Sequence, residues 1–143
     1  MKTIALREFK QSLSLTSLQK EILIGFLLGD GHLETQDRGR TYRLKIEHGV
    51  AQKEYVLWKY DHFKNWVRTQ PQERVSKRYD VSYRKYWFNT ISHGAFRFFG
   101  QQFYETATKR VPALIKKMLT PMALAVWYMD DGSIKSHQTR ARI

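Results

Sequence analysis

The sequence predicts an α+β domain, and three observations carry that prediction. Apolar residues recur at helical spacing in several stretches. Two other stretches alternate, or concentrate β-branched and aromatic residues, in the manner of hairpins. The two kinds of segment interleave along 143 residues, a length that suits one compact domain with a real core. Hydrophobic content of 42% and aromatic content of 14% place the chain outside the disordered class.

The elements follow in order. Residues 1–13 read as a loose lead-in. Thr16-Ser17-Leu18-Gln19 is a capping box, which predicts a helix from there to about Asp30. Its apolar residues run nearly all the way round, so it is expected to be buried. Arg38-Gly39-Arg40 suits a hairpin turn, with a first strand beginning near Gly31. The second strand alternates: Tyr42, Leu44 and Ile46 on one face, Thr41, Arg43, Lys45 and Glu47 on the other. Val56, Tyr60, Phe63 and Val67 form one stripe of a helix that keeps Lys53 and Lys64 outside. The stretch 73–92 predicts a second hairpin turning near Tyr79-Asp80, with Tyr83, Tyr86, Trp87 and Phe88 expected in the core. Residues 94–105 read as a helix, and Pro112 opens a short one through Lys117. Thr120-Pro121 is an N-cap with proline at the first helical position, and the helix it starts ends at Asp131-Gly132. One more strand begins after that.

The chain carries 25 Lys and Arg against 13 Asp and Glu, a formal charge of +12. A charge of that size predicts a polyanionic partner. Without a long basic amphipathic helix, nucleic acid fits better than a membrane surface. No apolar run approaches a membrane span, and the opening "MKTIALREFK" meets charge too early for a secretory signal. Cysteine is absent, which excludes disulfides, thiolate nucleophiles and cysteine-ligated zinc. The five histidines show no metal-ligand spacing, and no glycine-rich phosphate loop or Ser/His/Asp set stands out.

One event happens twice. "LIGFLLGDG" ends an apolar helix at Asp30-Gly31, and "LAVWYMDDG" ends another at Asp131-Gly132, about a hundred residues later. A helix C-terminus carries free carbonyls and about half a negative charge, so a carboxylate there is locally unfavourable. The glycines read as left-handed caps. The aspartates need another reason, and a divalent cation supplies one, since carbonyls and carboxylates are the hard oxygen ligands Mg²⁺ prefers. Gly25 and Gly29 stack on one side of the first helix, extended by Leu18, Ile22 and Phe26, and admit a close neighbour. Two such helices packed together bring both acids to one place, where paired carboxylates and metal form a hydrolytic site for phosphodiesters.

These two nonapeptides, the Thr-Pro start of the second and its double aspartate resemble the LAGLIDADG homing endonucleases, and the resemblance spans nearly the whole chain. It implies an αββαββα unit over residues 1–118, with a mixed or antiparallel saddle-shaped sheet. Residues 119–143 would be the second motif helix and the start of an incomplete second unit. It implies a site-specific endonuclease of intron origin that cuts both strands of DNA, leaving short 3′ overhangs. Asp30 and Asp131 would be the metal-binding acids, with Gly29 and Asp130 lending backbone carbonyls. Asp130 stands where the family usually has a small residue. Lys109, in "TKRVP", resembles a catalytic lysine of related two-motif chains. In such a saddle the open sheet face would meet DNA: alternation assigns Arg43, Lys45 and Glu47 to it, and Arg38, Arg40, Lys77, Arg78, Arg84 and Lys85, in or beside the strands, support backbone binding as a group.

Two-motif relatives carry further strands and helices after the second motif, whereas this sequence runs eleven residues past Gly132. Completion of the saddle by a second chain or a homodimer is the corresponding expectation. Val126 replaces a small motif residue, which predicts looser packing of the second helix. An intron-RNA maturase or a non-cleaving DNA-binding relative would use the same fold. A basic structural or ribosome-associated protein would leave the two aspartates unexplained. The family also implies residence in a mitochondrion or chloroplast.

Overall fold

The structure is a computed structural model that describes residues 2–131, 133–134 and 141–142. Its centre is a four-stranded sheet in the order β1-β2-β4-β3, built from β1 (His32–Glu34), β2 (Arg43–Gly49), β3 (Gln72–Arg78) and β4 (Val81–Asn89). Every pairing is antiparallel. Helices α2 (Ser17–Leu28), α3 (Lys53–Phe63) and α4 (Arg97–Phe103) cover one face. Leu44 and Ile46 of β2 and Phe88 of β4 meet Ile22, Phe26, Val56, Phe63, Phe99 and Phe103 from these helices in a single buried cluster. The other face is open. Among the described residues, no helix is long and apolar enough to cross a membrane.

Local signals explain the elements. Thr16 and Gln19 close the capping box in both directions, each bond 3.0 Å long. Thr120 accepts from the Ala123 amide at 3.2 Å, and α6 (Pro121–Asp131) follows. Tyr79 and Asp80 both take positive φ, 51° and 62°, which is how a two-residue turn matches the twist of its strands.

Several expectations are corrected. The lead-in is a helix, α1 (Lys2–Ser12). Its run of good helix formers has no glycine or proline, and the His93 ring bonds the Lys10 carbonyl near its end at 2.7 Å. Gly31 is not a left-handed cap: the glycine with positive φ among the described residues is Gly39, at 84°. The Gly31 amide donates to the Phe26 carbonyl at 2.6 Å, and a Cβ at Gly31 would stand 2.7 Å from that oxygen. Space, not handedness, demands glycine there. The same expectation for Gly132 lies outside the described residues. A small hairpin, β5 (Tyr104–Glu105) and β6 (Thr108–Lys109), occupies a stretch where no strand was expected. The short helix after Pro112 is α5 (Ile115–Met118). Beyond α6, β7 (Ser133–Ile134) pairs with β8 (Ala141–Arg142). The four aromatics of β4 divide by parity: Tyr86 and Phe88 are buried, whereas Trp87 and Tyr83 share the open face with their cross-strand partners.

Candidate active site and nucleic-acid interface

The two motif helices, α2 and α6, pack directly on each other. A Cβ at Gly25 would meet Val126 Cβ at 2.6 Å and the Ala123 carbonyl at 2.7 Å. Val126 is buried, so the valine does not loosen the crossing: it fills the space the opposite glycine leaves. One turn on, a Cβ at Gly29 would stand 2.5 Å from Asp130 Cβ. Leu18, at the far end of this side, is exposed instead.

This crossing brings the acidic helix ends together, and Asp130 is at the centre. Its side chain has 0% exposure. Its Oδ2 accepts from the Asp30 amide at 2.9 Å. Its Oδ1 accepts from the Lys59 ammonium at 2.8 Å and from the Tyr55 hydroxyl. Lys59 has 0% exposure too, and its Nζ also lies 2.8 Å from His48 Nε2. The ammonium must donate there, so the ring proton of neutral His48 sits on Nδ1, which faces Asp30 Oδ2 at 3.9 Å. A buried carboxylate with three donors is well satisfied.

Burial and charge set the titration of these groups. Burial, then the nearby Asp130 and Asp131 charges, raises the Asp30 carboxyl above its ordinary value, against opposition from Lys59 and Lys109. Burial, then the Lys59 charge, lowers His48 to about 4. Burial also pushes Lys59 down, with Asp130 opposing, and pushes Tyr55 up, with Asp130 reinforcing.

The expected site residues gather here in distinct ways. Asp30 keeps 51% of its side chain exposed. Asp131 is exposed, and one carboxylate oxygen accepts from its own helix, at Trp127 Nε1, 3.2 Å away. Its charge still bears on Asp30. Lys109, on β6, donates to the carbonyls of Gly29 at 2.8 Å and Gly31 at 2.6 Å, which closes off two helix-end carbonyls. Burial lowers its ammonium from the ordinary lysine value, with Asp30 the first of the opposing charges. Two outward carboxylates and a helix-end carbonyl are hard oxygen donors and fit Mg²⁺. Lys59, His48 and Tyr55 were not foreseen. Their signal was present: Lys59 interrupts the apolar stripe between Val56 and Phe63, and His48 continues the inward parity of Leu44 and Ile46.

The open sheet face begins beside Asp30. A groove of about 420 Å³ is lined by Asp30, His32, Lys45, Glu47, Arg74 and Trp87, among others. Arg43 and Lys45 both bind Glu34, Lys45 at 3.2 Å. Glu47 pairs with Arg74, a basic residue outside the expected set. Arg74 lies opposite Lys85, and Arg78 two positions beyond Ser76 keeps the same parity. Lys77 and Arg84 do not: they lie opposite Ser82 and Val75 on the reverse face, and Arg84 pairs with Glu73 at 2.7 Å. Both are exposed because this hairpin outruns the helix layer. Arg38 and Arg40 are exposed on the β1–β2 loop. Asp37 braces that loop by accepting from the Thr41 amide and hydroxyl, which lowers its carboxyl to about 2.

Acidic helix ends joined at a glycine-relieved crossing, beside an antiparallel sheet with a basic open face, define a class of paired-motif-helix proteins. Residues 20–143 match the model of the LAGLIDADG DNA endonuclease family, and the chain belongs to that family. It is 35% identical over 133 residues to DNA endonuclease I-ChuI of Chlamydomonas applanata, covering 86% of this chain and 61% of that protein. It is 28% identical to the cytochrome b mRNA maturase bI2 of Saccharomyces cerevisiae, covering 78% of this chain and 29% of that one. The fold superposes on the homing endonuclease I-WcaI, solved bound to its DNA recognition sequence, with a TM-score of 0.81 and 28% identity, over 89% of this chain and 57% of the other. The chain thus spans about three-fifths of the length of the two endonucleases.

Proposed function

We propose that this chain forms the first motif unit and the second motif helix of a site-specific homing endonuclease, which hydrolyses phosphodiesters of double-stranded DNA with Mg²⁺. The observation that carries the reading is the meeting of Asp30, Asp130 and Asp131 at the joined helix ends, next to a basic sheet face. Asp30 and Asp131 are the outward acids, and they would hold the ion with the Asp130 carbonyl; the Gly29 carbonyl, expected to join them, is taken by Lys109. Bound there, Mg²⁺ would supply charge stabilisation at the phosphate and an activated water. The protein's own work is positioning. Asp130 fixes the Asp30 backbone, Lys109 fixes Gly29 and Gly31, and the groove lays the duplex against Asp30. Arg43, Lys45, Arg74, Arg78 and Lys85 meet the duplex from the open face, with Arg38 and Arg40 at its edge. The part of the saddle facing this unit belongs to a second unit, a second chain or a homodimer, and an organelle intron is the setting the family suggests.

The test is a plasmid carrying the host intron insertion site, incubated with Mg²⁺. Cleavage that disappears in Asp30→Asn and in Asp131→Asn is the expected result. Likeness to a protein named as an mRNA maturase favours one second reading, RNA binding. Tight binding of the intron RNA with the plasmid left intact would select it. Size-exclusion mass in the same preparation reports whether two chains assemble.

A further inference from the structure

One ligand atom each from Asp30, His48 and Asp130 lies within 4.8 Å of the others, an arrangement that resembles a small metal site. It already holds a cation. The Lys59 ammonium stands 2.8 Å from Asp130 Oδ1 and 2.8 Å from His48 Nε2. The Phe26 and Tyr55 rings lie 4.7 Å and 4.3 Å from it. We infer that Lys59 is a resident internal cation, which occupies the inner position between Asp130 and His48 and confines divalent ions to the outer oxygen donors. The location of those outer ions rests on the proposed function above; the occupancy of the inner position does not.

The chemistry follows from the surroundings. Two ligands and two aromatic faces complete the shell of an ammonium, which gains from ring quadrupoles. They do not complete that of a metal ion. Mg²⁺ keeps several waters and a near-octahedral shell, and aromatic walls supply no ligand atoms. Imidazole instead suits transition metals such as Zn²⁺, Co²⁺ and Ni²⁺. An uncharged side chain at position 59 would release an imidazole nitrogen and a carboxylate, with Asp30 adjacent, to exactly that class of ion. Lys59 is therefore a positioning residue: it joins Asp130 to His48, keeps nitrogen out of the metal shell and leaves hard oxygens to select the ion.

The experiment uses the full chain without DNA and Co²⁺ alone as the probe. Lys59→Met keeps the length of the side chain and removes its charge. It is expected to gain a Co²⁺ site at least tenfold tighter than any in the wild type, with the visible bands of nitrogen ligation. The double variant Lys59→Met/His48→Gln should lose that site, and Lys59→Arg, which keeps the charge, should not form it. A folded Lys59→Met that binds Co²⁺ no more tightly than wild type overturns the inference. If Lys59→Met does not fold, the wild type decides. Titration with Zn²⁺ should leave the His48 ring nitrogen resonances in place, and a ligation shift at either nitrogen overturns the inference. Wild-type protein that passes these tests yet fails to cut DNA would count against the nuclease reading alone.

Discussion

Three acids at the joined helix ends do three different things, and charge burial separates them. Asp130 is enclosed and paired with an enclosed lysine. Removing one partner of a buried pair strands the other, a loss of about 3–5 kcal/mol. Asp130→Ala is therefore expected to lower stability by about that amount in chemical denaturation, whereas exposed Asp131→Asn should leave the midpoint nearly unchanged and abolish cleavage. Asp30 behaves in the opposite way to a stabilising carboxylate. Its folded value is raised, so the folded protein holds that proton more tightly than the unfolded chain does. Ionising it weakens the fold as pH rises from the ordinary aspartate value through the folded one. Asp30→Asn should thus be more stable than wild type at pH 7, with the difference vanishing in acid, while losing activity. Denaturation curves at pH 3 and pH 7 check the sign, and a stability gain in acid alone would refute it.

At the scale of elements, the helix crossing and the β3–β4 hairpin each make a claim. Gly25→Ala places a methyl where Val126 Cβ and the Ala123 carbonyl already stand, and overpacking of this kind destabilises by about 1–3 kcal/mol. Adding Val126→Ala should recover part of the loss in a double-mutant cycle, because the two residues share one space. The hairpin separates its basic residues by parity. Arg74→Ala, on the open face, should weaken duplex binding and reduce the salt slope by about one; Lys77→Ala, on the reverse face, should do less. Fluorescence anisotropy across a salt series distinguishes them.

Much of this was legible in the sequence because the signals are local. The capping box, the Thr-Pro start and the Tyr79-Asp80 turn depend on neighbours only, and strand parity assigned Leu44 and Ile46 correctly. What was not legible depends on partners distant along the chain. Lys59 looks like a surface lysine until its place in the Val56–Phe63 stripe is noticed, and Asp130 gives no sign by itself that Tyr55 and Lys59 will enclose it. The β4 aromatics, all expected in the core, divide for another reason: alternation, not bulk, decides which face a strand residue takes. The α1 helix gives little sequence signal because its apolar pattern is weak, and none of residues 4–12 is fully buried.

For the whole molecule, the +12 charge is unevenly employed. Glu34 and Glu47 hold Arg43, Lys45 and Arg74 on the open face, so contact with phosphate would exchange one anion for another. If about six phosphates are contacted, affinity for duplex should fall about 10³-fold between 50 and 200 mM salt, and a flat response would argue against a backbone-driven interface. The meeting of Gly25 with Val126 reaches further than local fit. Here the first helix brings the hollow and the second brings the branched side chain that fills it, as a lock and its key. The seam is therefore asymmetric: each rod carries the shape its partner lacks, and a change on either one is felt by the other.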